Sequence, residues 1–209
     1  MFGRKEGNMR LWTLRSEYAW KQHQREGRIT GDRKYVDPYF GEAYQWLMEQ
    51  MAERIPGYSG GWPVWAYQAP KPDLRSHVWC HPLGEPNVRL ELEVPDERVL
   101  LSDYDAWHVV LNKWHIELTE EEDREWEHRV EPYGFWQSDT RKCLPPELYR
   151  ELIESWKLIF DLDTLAASPW TGGGAQYIQA VVEYVELSEV KKVTRYLGRE
   201  KPETHVCRL

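Results

Sequence analysis

Twelve tryptophans in 209 residues set the strongest constraint on how this chain can fold. An indole buries a large area and its N–H wants a partner, so it suits cores beside a cleft, pocket walls and stacking platforms. The twelve run from Trp12 to Trp170, too widely spread to line one site, so most of them belong to a tryptophan-rich core. Hydrophobic residues make up 41% of the chain, sufficient to surround such a core, and charged residues 30%, sufficient to solvate the surface. The 35 acidic residues outnumber the 27 basic ones, for a net charge of −8. That balance opposes nucleic-acid binding over a broad surface and leaves room only for a local basic cleft. No apolar run reaches membrane-spanning length and no signal-peptide core is present. Cys80, Cys143 and Cys207 are odd in number and far apart. They make no disulfide framework and fit a reducing cytoplasm.

Local patterns predict one α+β domain over residues 9–197, with a mixed or mainly antiparallel sheet and several packed helices. Residues 1–8 read as a frayed tail and residues 198–209 as a polar tail. Arg10–Leu14 is a short strand; Ser16 caps a helix over Glu17–Glu26 that stops at Gly27, and a polar loop follows to Asp37. Asp37-Pro38 opens the cleanest amphipathic helix, with Phe40, Ala43, Tyr44, Leu47, Met48, Met51 and Ile55 at helical spacing. Val64–Gln68 is strand-like, and the proline-rich stretch 69–87 is a long loop. Val88–Val94 alternates, with Val88, Leu90, Leu92 and Val94 facing inward and Arg89, Glu91 and Glu93 facing water. A short strand over Val99–Leu101 precedes a helix opened by Ser102 with Asp105 as a capping box. Thr119 opens an acidic helix, and Pro145-Pro146 opens another. Tyr177–Leu187 reads as one strand and Lys191–Leu197 as the last.

Four groups of residues carry candidate chemistry. Glu183 stands alone in an apolar strand, after the glycines of Trp170–Ala175. It is either a sheet residue facing water or a carboxylate projecting into a cleft, where burial would require a partner or a role. His77, Cys80 and His81, with Cys143 elsewhere, have the residue types for zinc but lack the usual second ligand pair, so no metal is expected. Asp105 lies where it could hold His108 one turn away, but no nucleophile motif accompanies the pair. Arg75, in Lys71-Pro72-Asp73-Leu74-Arg75, either clamps an anion or ties its loop to the body. Gly172-Gly173-Gly174 is followed by no Lys-Ser/Thr, so it is no phosphate loop.

Several segments together resemble the bacterial domain of unknown function 3841 family: RLWTL, the AYQWLMEQM helix, KPDLR, RLELEVPDERVLLSDYDAWHVVLN and IQAVVEYVELSEVKKV. The resemblance runs from Met9 to about Tyr196 and implies a bacterial cytoplasmic domain, with no activity attached. A second resemblance is of layout. A strand carrying LW-T, a helix ending at glycine and a late strand with a glutamate are similar to small ADP-ribosyltransferase-like domains. That likeness implies NAD as substrate. Glu183 would stabilise a cationic ribose, and Thr13 and Gln179 would meet the cofactor, with Arg75 at its phosphates. Thr13 stands where that family carries His or Arg, and Gln179 is four residues from Glu183 rather than two. The chain therefore carries two expectations: an enzyme with a nucleotide-binding cleft, or an aromatic-rich module binding a protein or a single-stranded nucleic acid.

Overall fold

The computed structural model describes residues 7–71, 84–135, 144–170 and 177–198. The fold is α+β, as the sequence predicts. It divides into two compact units, one within Met1–Arg33, Met51–Leu100 and Ala180–Leu209, the other within Lys34–Gln50 and Leu101–Gln179. Among the described residues no helix is long and apolar enough to cross a membrane.

The first unit is built on antiparallel pairing. Strand β1 (Asn8–Ser16) is longer than its apolar kernel because it pairs with a later strand from Asn8 opposite Pro95 to Ser16 opposite Asn87. Ser16 then accepts a hydrogen bond from the Ala19 N–H and caps α1 (Glu17–Glu26), which stops at Gly27 with φ of 83°. The polar stretch beyond contains β2 (Arg28–Thr30), a strand too short to leave a periodic signal. Strand β3 (Val64–Ala69) pairs with β1, and β4 (Pro86–Pro95) carries Val88, Leu90, Leu92 and Val94, all fully buried as the alternation predicts. Glu91 corrects the expectation of a solvated opposite face, because it is only 4% exposed. Arg10 at 2.6 Å and Lys71 at 3.4 Å compensate its charge, and both cations also lie over the Trp12 ring.

The expected single strand over Tyr177–Leu187 is two strands. Strand β6 (Ile178–Val182) and β7 (Tyr184–Glu186) belong to different sheets, and the chain bends between them at Glu183. Strand β7 pairs antiparallel with β2, and β8 (Val190–Leu197) pairs with β4. With β5 (Leu100–Asp103), the larger sheet has the order β5-β6-β3-β1-β4-β8.

The second unit is mainly helical. It takes in most of α2 (Gly41–Arg54), with α3 (Tyr104–Leu111), α4 (Glu120–Val130), α5 (Pro146–Ser155) and the unforeseen short α6 (Leu162–Ala167). Ala43, Leu47 and Met51 are fully buried, whereas Phe40, Tyr44 and Met48 are half-buried, so the apolar stripe of α2 is narrower than its spacing suggests. Asp103, not Ser102, caps α3: its carboxylate accepts from the Ala106 N–H. Thr119 caps α4 as expected, with four acidic side chains in the first turn where the helix dipole favours them. Trp20, Trp46, Trp107, Trp126 and Trp156 are buried, while Trp114 and Trp170 are about half exposed. Trp20 is therefore a core residue of the first unit, and Trp46, Trp107, Trp126 and Trp156 are core residues of the second.

Candidate functional site

Glu183 owes its place to the bend between β6 and β7, and its carboxylate closes a glycine-rich loop that follows α2. The Ser59 N–H and hydroxyl donate to Glu183 Oε1 at 3.0 and 2.6 Å, and the Gly61 N–H donates at 2.8 Å. Gly57 and Gly60 take positive φ of 75° and 98°, which lets the backbone N–H groups turn toward one acceptor. Gly61 is required for closeness: a Cβ there would lie 2.8 Å from the Glu183 Cγ. The Tyr58 hydroxyl locks the turn by donating to the Gly61 carbonyl at 2.7 Å.

Burial pushes the Glu183 carboxyl up. The Ser59 hydroxyl and the Gly61 and Ser59 N–H groups, with Arg98 behind them, outweigh it and hold the group below the ordinary carboxylate value. Tyr58 moves the other way, raised first by burial and then by the Glu183 charge. The space beside the carboxylate is a depression of about 50 Å³ lined by Ile55–Tyr58, Arg98, Glu183 and Tyr184. Arg98 is committed too. It pairs with Glu189 at 2.5 Å, donates to the Tyr184 carbonyl at 2.7 Å and lies 4.2 Å from the centre of the Tyr184 ring.

The other sequence-derived candidates are placed separately. Thr13 is 1% exposed, and its hydroxyl donates to the Trp65 carbonyl at 2.8 Å; it does not line the Glu183 depression. Gln179 belongs to the second unit, where it is buried and donates to the Ser102 hydroxyl at 3.2 Å. Arg75, His77, Cys80, His81 and Cys143 lie outside the described residues, as do the glycines at 172–174. His108 makes its hydrogen bond to the backbone, although its charge and that of Asp105 interact. Its Nδ1 is 2.8 Å from the Tyr104 carbonyl and its ring tilts against the Tyr104 ring, so Tyr104 orients it.

The second unit carries a feature that reading for chemistry missed. A groove of about 490 Å³ runs between α2 and α5, lined by Gly41, Glu42, Gln45, Trp46, Glu49, Tyr149, Ile153 and Trp156. Its floor is fixed by aromatic packing. Trp46 meets Trp156 edge-on at 5.5 Å and stacks on Phe160 at 5.8 Å, and the Trp156 N–H donates to the Trp114 carbonyl at 2.8 Å. The rim is acidic and polar. The Tyr149 hydroxyl donates to Glu42 Oε1 at 2.8 Å, and the Gln45 amide donates to Glu49 Oε1 at 3.1 Å. Among the described residues that line it there is no lysine or arginine. The available signal was Trp46, which falls off the Ala43, Leu47 and Met51 stripe of α2, with Glu42, Gln45 and Glu49 beside it at intervals of three and four.

No curated protein and no solved structure matches this chain. The family model for the Domain of unknown function (DUF3841) matches residues 10–191, and the chain belongs to that family.

Proposed function

We propose that this protein is a binding module that takes a segment of a partner protein into the groove between α2 and α5. One observation carries the reading: the groove offers about 490 Å³ over a rigid aromatic and aliphatic floor, against about 50 Å³ beside Glu183. Binding sites for drug-sized ligands occupy roughly 300–1,000 Å³. The aromatic packing holds the floor in place, so a ligand meets a surface that needs little reordering. Ile153 is the half-buried aliphatic residue of α5 in that lining. A random-peptide display selected on the wild type and on Ile153→Arg tests this. Sequences enriched only on the wild type are expected. Enrichment of the same sequences on both proteins would overturn the groove as the binding surface.

NAD-using transfer at Glu183, with Thr13, Arg75 and Gln179 toward the cofactor, is the second reading. One observation favours it: the carboxylate is held ionised, as stabilising a cationic ribose requires. Release of nicotinamide from NAD by the wild type, lost in Glu183→Gln, would establish it. With either reading we assign the protein to a bacterial cytoplasm, in keeping with its odd, well-separated cysteines.

A further inference from the structure

Independently of the α2–α5 groove, we infer that the first unit holds an oxyanion site anchored by Arg15, which takes a carboxylate or phosphate group of a small ligand at the junction of β1 and α1. The argument begins with a charge that the protein itself leaves unanswered. A guanidinium carries several N–H donors in a planar fork, and taking it out of water without an opposite charge is costly. Arg10, Arg98 and Arg129 obey that rule: Arg10 meets Glu91 at 2.6 Å, Arg98 meets Glu189, and Arg129 meets Glu151 through both carboxylate oxygens. Arg15 departs from it. Its Nη1 donates to the Leu14 carbonyl at 2.8 Å, and among the described residues no carboxylate pairs with the group. Its surroundings are nevertheless dry. Burial pulls the guanidinium below its ordinary value, and the group acting against that is the Tyr67 phenol.

The helix that follows shows why no acid answers this charge. Glu17 stands two residues on, but Arg195 lies 3.3 Å from it and Lys21 4.0 Å. Glu26 accepts from the Gln22 amide at 2.8 Å and lies 3.5 Å from His23. Both carboxylates of α1 are thereby occupied. His23 feels the Arg15 charge, because its ring is held below the ordinary histidine value by burial first and by Arg15 second. The neighbours of Arg15 are thus an imidazole and a phenol rather than an acid. Access remains: Arg15 is half-buried, and its unbonded nitrogens keep contact with solvent. A carboxylate or a phosphate fits such a fork through a pair of parallel hydrogen bonds. The low local dielectric strengthens that pairing. The net charge of −8 repels anions at long range, so the site works by direct contact and not by steering.

Thermal unfolding in inorganic phosphate, in acetate and in chloride, at one ionic strength and pH 7, tests the inference on the wild type, Arg15→Gln and Arg15→Lys. Chloride sets the reference for general salt effects. An anion at about ten times its Kd is expected to raise the wild-type midpoint by about 3–6 °C over chloride. Arg15→Gln removes the charge and is expected to show no such rise. Arg15→Lys keeps the charge without the fork and is expected to show a smaller one, which keeps the test decisive should Arg15→Gln fail to fold. A rise confined to phosphate assigns the site to a phosphate group and a rise confined to acetate to a carboxylate; either supports the site. A rise in either variant equal to that of the wild type would overturn it. A wild-type midpoint that is the same in all three salts would overturn it too.

Discussion

Glu183 in the first unit and Glu49 in the second are both carboxylates beside a concave surface, and they do opposite things with their charge. Glu183 turns it inward. Three donors from Ser59 and Gly61 occupy its oxygens, a tyrosine closes the turn, and the space left over is about 50 Å³. Glu49 turns its charge outward, at the rim of a groove almost ten times larger, with one weak partner a turn away on its own helix. The pKa follows the partners: Glu183 is held low by its donors. A perturbed carboxylate marks a commitment, and structural commitments perturb as strongly as functional ones. The carboxylate with unused acceptor capacity over an apolar floor is the better marker of a surface that meets something else.

The contrast breaks most visibly if the groove floor is soft. Trp156 is fully buried and hydrogen-bonded, so Trp156→Ala is expected to lower unfolding stability by about 3–5 kcal/mol in a urea titration. A loss below about 1 kcal/mol would show a floor that rearranges freely. Next comes the glycine loop. Gly61→Ala sets a Cβ against Glu183 and is expected to cost about 1–3 kcal/mol, whereas Gly41→Ala, with open space around it at the start of α2, should not destabilise.

Glu183→Gln sharpens the comparison further. It leaves an amide facing N–H donors and is expected to cost about 1–2 kcal/mol at pH 7, less than a fully buried charged hydrogen bond because Glu183 is partly exposed. The pH dependence has a definite sign. The folded-state pKa of Glu183 is depressed, so its contribution is full above the unfolded value of about 4.3 and is lost as pH falls through the lower folded value. The gap between wild type and Glu183→Gln should therefore be widest at neutral pH and close in strong acid. Glu49→Gln is the smallest effect, within about 0.5 kcal/mol of wild type, because this exposed side chain is bonded by Gln45, one turn away on its own helix.

Local chemistry was legible in the sequence. The Ser16 cap, the Gly27 stop and the buried face of Val88, Leu90, Leu92 and Val94 are each written within a few residues and appear where they were expected, whereas Asp37-Pro38 opens a 3-10 turn over Pro38–Phe40 and the α-helix itself begins at Gly41. Distant commitments were not. The apolar run through Tyr177–Leu187 reads as one strand because nothing within it marks the bend. Glu183 finds Ser59 and Gly61, 124 and 122 residues away in sequence, which no local pattern announces. Strand β2 is three residues long, and only its partner β7 makes it a strand. Glu91 sat on the expected wet face, but Arg10 and Lys71 let it be buried. The groove was half legible. Glu42, Gln45 and Glu49 read as an ordinary solvated helix face, and only the arrival of α5 with Tyr149 and Ile153 turns that face into a wall.

The most direct test sets the two carboxylate regions against each other in one binding measurement. Anisotropy of a labelled peptide enriched on the wild type in the display selection is read on the wild type, Ile153→Arg and Glu183→Gln under the same conditions. The account predicts that Ile153→Arg loses the peptide and that Glu183→Gln, though less stable, binds it as the wild type does. Loss of binding in Glu183→Gln with full binding in Ile153→Arg would contradict it and move the working surface to the first unit.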